Sequence, residues 1–328
     1  MKKLRVFQTV KKRRIVPGFS PKNLSTVLLL LLMIPYFITF LFGNLGEEEI
    51  KGSSALSEEG SIYVRNITSL GSECVPLEIY VADRLARSIN NDFEMETLKA
   101  QAVLIRSGLM TMSKKNQGET EIRVEDTEYG SITISQRIWQ AVEETKGVCI
   151  LWKKRPVNGA YFAVSNGATR NGDEVSAAEY SYLKSVICSR DFLSEDYISK
   201  VSCREDEFEK IWERLPGLDI ANDEILKEYI SETEIMDVKV YRDSVGYVLY
   251  VERGGKFVSG ERFREAYLLS SSSFHMEKEK KHIVFTVKGE GHGFGMSQFG
   301  ANELAKEGED YIDILNYFFQ DVTITKNE

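Results

Sequence analysis

The chain has 328 residues, 42% hydrophobic and 28% charged, an ordinary globular composition that suits one large or two modest domains. Eight Lys or Arg and no acid fall in the first 46 residues; taking these from the 42 basic residues leaves 34 against 50 acids, a net charge of −16 for the remainder. So acidic a body excludes a phosphate-binding nucleic-acid surface.

Residues 1–23 read as a basic tail. The run Leu24 to Leu45 is apolar, broken only by Ser25, Thr26, Pro35, Thr39, Gly43 and Asn44. At about 1.5 Å per helical residue it is long enough to cross a bilayer core. Glu47, Glu48 and Glu49 follow. Positive charge before the span predicts a cytoplasmic N-terminus and an external main domain. A cleaved signal peptide fits less well, because both regions are long and no A-x-A-like site follows. The expectation is a single-pass cell-membrane protein whose basic tail sets topology and touches anionic lipid.

Residues 46–60, GEEEIKGSSALSEEG, read as a charged linker. Residues 61–328 read as one α+β domain with insertions. Ser61 to Cys74 is an extended entry. Pro76 to Ile89 carries Leu77, Tyr80, Val81, Leu85 and Ile89 at helical spacing, with proline near the start. A stronger helix is expected from Met95 to Lys114, where Leu98, Ala102, Ile105 and Leu109 form a stripe. A third covers Ser135 to Thr145 and is closed by Gly147. Strands are expected at Val148–Trp152 and Gly159–Ser165, and a charged helix at Glu205–Arg214. Ile235–Tyr241 and Gly246–Glu252 read as a hairpin. Ile283–Val287 reads as a strand, Met296–Lys306 and Tyr311–Phe319 as helices, and Val322–Thr325 as a last strand.

Cys74, Cys149, Cys188 and Cys203 contain no CxxC pair and are too few for a disulfide framework. Cys188 and Cys203 lie 15 residues apart, a spacing open to a disulfide, to two ligands of a structural metal, or to two unrelated buried thiols. The stretch GEGHGFGMSQFGANELAKEG, Gly289 to Gly308, surrounds His292 with alternating glycines just before a helical pattern. Glycines permit close backbone approach, and a helix start presents unpaired N–H groups to a polar or anionic ligand. Spacing alone leaves this reading and a structural glycine turn equally open.

The stretch from His292 to Ile324 resembles the C-terminal signature of the stage II sporulation protein D family, roughly GHGVGMSQYGA, a short helix, then Y-x-x-I-L-x-x-Y-Y. ETLKAQAVLIRS, Glu96 to Ser107, resembles the family's E-A-L-K-A-Q-A-V-A-A-R-T. YFAVSNGATRNGDEV, YLKSVICSRD, GERFRE and SSSSFHM also fit, in the family's order. The resemblance implies a wall-associated domain acting on bacterial peptidoglycan. Family members are lytic transglycosylases cleaving peptide-stripped glycan strands, or enhancers of a cell-wall amidase. It implies substrate-binding roles for His292, Gly293, Ser297, Gln298 and Arg106. Helix capping for Ser297 and Gln298, and a salt bridge for Arg106, stay open beside those roles.

Such a reaction needs one carboxylic acid to protonate the leaving glycosidic oxygen. The family's glutamate stands eight residues before the Glu of E-A-L-K-A-Q. Here that place is Ser88, whose hydroxyl is far too weak an acid. Glu78, Asp83, Asp92 and Glu94 are the neighbouring carboxyls that could substitute. Phe162 stands where some relatives carry a histidine near a zinc site. Cys188 and Cys203 alone leave such a site short of four ligands, so zinc is not a firm expectation. The expected protein is a glycan-binding, catalytically impaired member acting in wall remodelling during sporulation. The alternatives are a working transglycosylase with a displaced carboxylate, and an amidase activator.

Overall fold

The structure is a computed structural model that describes residues 62–326 apart from 70, 117–118, 175–179, 219–225 and 227–228. The expected tail, anchor and linker lie outside the described residues. No described helix is long and apolar enough to cross a membrane. All described residues belong to one compact unit, Glu59–Glu328.

The architecture is α+β. Among the described residues the helices are α1 (Leu77–Ser88), α2 (Met95–Thr111), α3 (Gln136–Glu144), α4 (Glu205–Arg214), α5 (Gly260–Ala266), α6 (Gln298–Lys306) and α7 (Tyr311–Phe318), accompanied by five small sheets. The extended entry is a hairpin, Tyr63–Thr68 against Gly71–Pro76. A strand at Glu119–Val124, which no periodicity announces, pairs in parallel beside Tyr63–Thr68.

Helix α2 organises the first two cores. Leu98, Ala102, Ile105 and Leu109 pack toward α1, α3 and the first sheet, with Leu85, Ile122 and Ile138 fully buried there. Its opposite side carries Ala100, Val103 and Leu104 into a second core with α6 and α7. A helix apolar on both sides belongs inside, so the single stripe describes only half of what α2 buries.

A third core is aromatic. The central strand His282–Lys288 pairs with Ile198–Arg204 on one side and Phe274–Glu279 on the other, and turns Ile283, Phe285 and Val287 inward. Phe263 on α5 stacks 5.1 Å from Phe274, and Phe208 on α4 stacks 5.1 Å from Tyr267. Such ring pairs add about 0.5–1.5 kcal/mol each beyond the area they bury.

Three expectations change. The strand expected over Gly159–Ser165 is only Tyr161–Phe162, because its partner in parallel pairing, Met296–Ser297, is equally short. For the same reason the helix expected from Met296 starts at Gln298. The hairpin is Lys239–Arg242 with Val248–Arg253, and a third strand, Ile230–Thr233, pairs outside it.

Candidate functional site

The strand His282–Lys288 runs directly into the glycine loop. Gly289, Gly291, Gly293 and Gly295 all have positive φ, from 75° to 108°. At Gly293 an added Cβ would stand 2.7 Å from the Tyr247 ring and 2.9 Å from Arg170 Cδ; at Gly295 it would stand 2.1 Å from the Ala160 carbonyl oxygen. These glycines let the loop lie against its neighbours, at distances no side chain tolerates. Arg170 fixes the loop. Its backbone N–H donates to Gly293 O at 2.8 Å, Nη1 donates to His292 O at 3.3 Å, and Nε donates to Asp243 Oδ2 at 2.7 Å. Its guanidinium also lies 4.5 Å from the Phe294 ring centre and 5.1 Å from that of Tyr247. Burial raises the Asp243 pKa, and the charge of Arg170 opposes that rise.

His292 is not at a helix start, since Met296–Ser297 intervenes. Its Nδ1 accepts the Phe294 N–H at 3.1 Å, and its ring packs 5.7 Å from that of Phe162. It borders a cavity of about 250 Å³ with Asn158, Tyr180 and Phe294. Burial pushes the imidazole pKa down, opposed by the charge of Glu261. The Glu261 oxygens are engaged by Ser272 Oγ at 2.7 Å, Arg264 Nη1 at 3.0 Å and Arg170 Nη1 at 3.5 Å. The ring is therefore neutral at physiological pH. Below its unfolded value of about 6.5 the unfolded chain binds more protons than the folded one, so stability falls as pH drops through that point. Relative to His292→Gln, the wild type is expected to lose melting temperature between pH 7.5 and 5. Parallel melting profiles would contradict this.

Ser88 closes α1 and opens on a separate cleft of about 510 Å³, lined among others by Asn90, Phe93, Glu195, Asp196 and Gln298. Its Oγ donates only to Leu85 O, at 3.4 Å, and its carbonyl accepts Gln298 Nε2 at 2.7 Å. Ser88 and His292 thus border different cavities, the larger and the smaller of these two. The cleft has the size and mixed apolar and polar lining of a small-ligand site.

The substitute carboxyls fare unequally. Glu78 is engaged by Arg106, from Nε at 2.9 Å and from Nη2 at 2.6 Å. Asp83 is 2% exposed, takes Arg87 Nε at 2.8 Å and accepts the Gly130 N–H at 2.9 Å. Neither borders the Ser88 cleft, and neither do Asp92 and Glu94. The acids that do are Glu195 and Asp196, on a single 3-10 turn, Glu195–Tyr197, and both exposed. Sequence reasoning missed them because about a hundred residues separate them from Ser88 and no spacing connects the two segments.

Other expected site residues are absorbed by the fold. Ser297 is fully buried; its Oγ accepts the Gly300 N–H at 3.2 Å, capping α6, and donates to Asp191 Oδ2 at 2.7 Å. Asp191 is fully buried, and burial raises its pKa. Gln298 borders the cleft while holding Ser88 in place. Arg106, 1% exposed, is turned to Glu78 and to Val148 O at 3.1 Å, so its reading corrects to a buried ion pair out of a ligand's reach. Gly293 is buried under Arg170 and Tyr247.

All four cysteines are free thiols. Cys188 sits in the second core, and burial pushes its thiol pKa up to about 12; Cys203 packs against the third. Neither joins a group of three ligand-bearing side chains among the described residues. Two thiols in different cores, without convergent ligands among the described residues, do not fit a four-ligand zinc site.

A family model described as stage II sporulation protein matches residues 69–152, the stretch that holds α1, Ser88, α2 and α3. Stage II sporulation protein D of Bacillus amyloliquefaciens is 27% identical over 299 residues, 85% of this chain and 83% of the relative. Its counterpart in Bacillus subtilis is 28% identical over 302 residues, 86% of this chain and 82% of the relative. An amidase enhancer of Bacillus subtilis is 24% identical over 277 residues, 71% of this chain but 38% of the relative. The family model and both Bacillus relatives agree, and the chain is similar to the stage II sporulation protein D family over most of its length.

Proposed function

We propose that this protein binds peptidoglycan glycan strands in the Ser88 cleft and acts in wall remodelling during sporulation without efficient bond cleavage. We further propose that residues 24–45 anchor it in the cell membrane, with the domain outside. The observation that carries the reading is the cleft itself: it remains open at the end of α1, while the position facing it holds a hydroxyl. A hydroxyl can hydrogen-bond a sugar but cannot protonate a leaving oxygen near neutral pH. Phe93 and Phe299 supply apolar surface for sugar faces, and Asn90 and Gln298 supply amides for hydroxyls.

One observation favours a second reading. Glu195 and Asp196 border the same cleft, so a displaced proton donor has two candidates there. The test incubates the full-length protein with peptide-free glycan strands and measures binding by pull-down and cleavage by mass spectrometry of anhydro-sugar ends. The expected result is binding that Ser88→Trp reduces at least about tenfold, with no anhydro ends. Anhydro ends that disappear in Glu195→Gln or Asp196→Asn would establish the second reading. Retention of a cell-wall amidase with no glycan bound would replace both with an activator role, the activity carried in the name of the amidase-enhancer relative.

A further inference from the structure

The stretch YLKSVICSRD ends on Asp191, whose carboxyl joins three segments far apart in sequence. Oδ2 accepts the Ser165 N–H and the Ser297 hydroxyl, each at 2.7 Å. Asp191 itself opens the 3-10 turn Asp191–Leu193, which leads into the turn Glu195–Tyr197. Each segment supplies a wall of the Ser88 cleft from adjoining residues: Val164 beside Ser165, Gln298 and Phe299 beside Ser297, and Ser194, Glu195 and Asp196 just beyond Asp191. The carboxyl stands behind these walls, fully buried, and does not line the cleft.

The bond to Ser297 extends to the fourth wall. A hydroxyl has one proton. With that proton committed to Asp191, the Ser297 lone pairs are left for the Gly300 N–H, 3.2 Å away, and cap α6. The cap fixes where α6 begins, and so where its first residue, Gln298, directs its amide: to the Ser88 carbonyl at 2.7 Å. Asp191, Ser297, α6, Gln298 and the end of α1 therefore form one continuous chain of contacts. Two further bonds run along the same seams, Phe299 N–H to Ala163 O at 3.0 Å and Tyr197 Oη to Asn166 O at 2.9 Å. They keep neighbouring walls in contact two at a time, whereas the carboxyl sets all three against one point.

The fold by itself gives little reason for an acid at this place. Oδ1 is buried without a hydrogen-bond partner, and burial raises the pKa of the group. A buried carboxylate oxygen left unmatched is destabilising. Gly300 leaves the room it occupies, since a Cβ there would stand 2.7 Å from Oδ1. An apolar side chain would fill the space at lower cost, but it could not receive donors from two walls. We propose that Asp191 is the positioning residue of the Ser88 cleft: its accepting oxygen sets the spacing of three walls, and through α6 that of the fourth, so that ligand affinity depends on Asp191 without contact to it. The inference rests on the glycan-binding reading above and deepens it.

The test uses the full-length chain in detergent micelles and two readouts. One is affinity for peptide-free glycan strands by pull-down. The other is the distance across the cleft by pulsed electron spin resonance. Nitroxides are placed on Asn90→Cys and Asp196→Cys, two exposed lining positions, in a Cys74→Ser, Cys203→Ser background that leaves the buried thiols. Asp191→Ala is expected to weaken glycan binding about tenfold or more and to turn one narrow distance into a broad distribution. Asp191→Asn keeps an oxygen for the two donors. It is expected to restore the narrow distance and to bind within about threefold of the wild type. Phe274→Leu, a truncation in the third core, controls for lost stability; it should lower the melting temperature and leave both readouts unchanged. Ser297→Ala removes one arm and should also broaden the distance, which keeps the test decisive should Asp191→Ala not fold. Unchanged distance and affinity in Asp191→Ala and Ser297→Ala would overturn the proposal. So would losses that Phe274→Leu reproduces, or an Asp191→Asn as damaged as Asp191→Ala. The distance readout needs no ligand, so the two readings fail separately. Ser88→Trp without effect on binding sinks the cleft reading; binding lost in Ser88→Trp but kept in the Asp191 variants sinks this inference alone.

Discussion

Ser88→Glu is expected to release anhydro-ended fragments from peptide-free glycan about 10²–10⁴ times faster than the wild type, the usual contribution of a positioned general acid. The position is prepared for it. The α1 backbone is held at its last residue by the Gln298 bond to the Ser88 carbonyl, independent of the side chain. The cleft beside it contains Phe93, Ile89 and Phe299, apolar surface of the kind that favours a neutral carboxylic acid. The control is Ser88→Gln, which matches the new side chain in size and cannot donate an acidic proton. Activity in Ser88→Glu alone assigns the loss of chemistry to one residue. No activity in either variant means that the cleft has lost more than its acid, and wild-type activity that Glu195→Gln removes moves the acid to the 3-10 turn.

Arg170→Ala should be the most damaging single truncation, costing about 3–5 kcal/mol by leaving a buried carboxylate without its partner. Arg170 and Asp243 are 2% and 1% exposed. The same guanidinium tethers the His292 carbonyl and packs on Phe294 and Tyr247, so the loss also frees the glycine loop. Chemical denaturation is expected to show a lower midpoint with an unchanged slope. Asp243→Asn keeps hydrogen-bonding capacity and should cost less. In a double-mutant cycle the Arg170→Ala and Asp243→Asn effects should fall well short of additive, because each removes the same contact. Additive losses would place the stabilising role of Arg170 in its packing on the two rings.

The Ser88 cleft marks where reading by spacing ends. The absence of a glutamate at the end of α1 could be read directly by counting residues. Which carboxyls share the cleft could not, because Glu195 and Asp196 reach it through folding over a long loop.

By itself the sequence determined the α+β class, the helices α1, α2 and α4 and the strand Val148–Trp152. It also determined the family resemblance and the serine at the end of α1. These follow from local periodicity and from ungapped motifs, both of which act over a few turns of chain. Tertiary structure alone decided that Arg106 and Ser297 serve the fold, that the two cysteines stay apart, and that His292 and Ser88 face different spaces. Burial, ion pairing and cavity walls are relations between distant segments, set when three cores close around α2 and the central strand, and no local pattern encodes them.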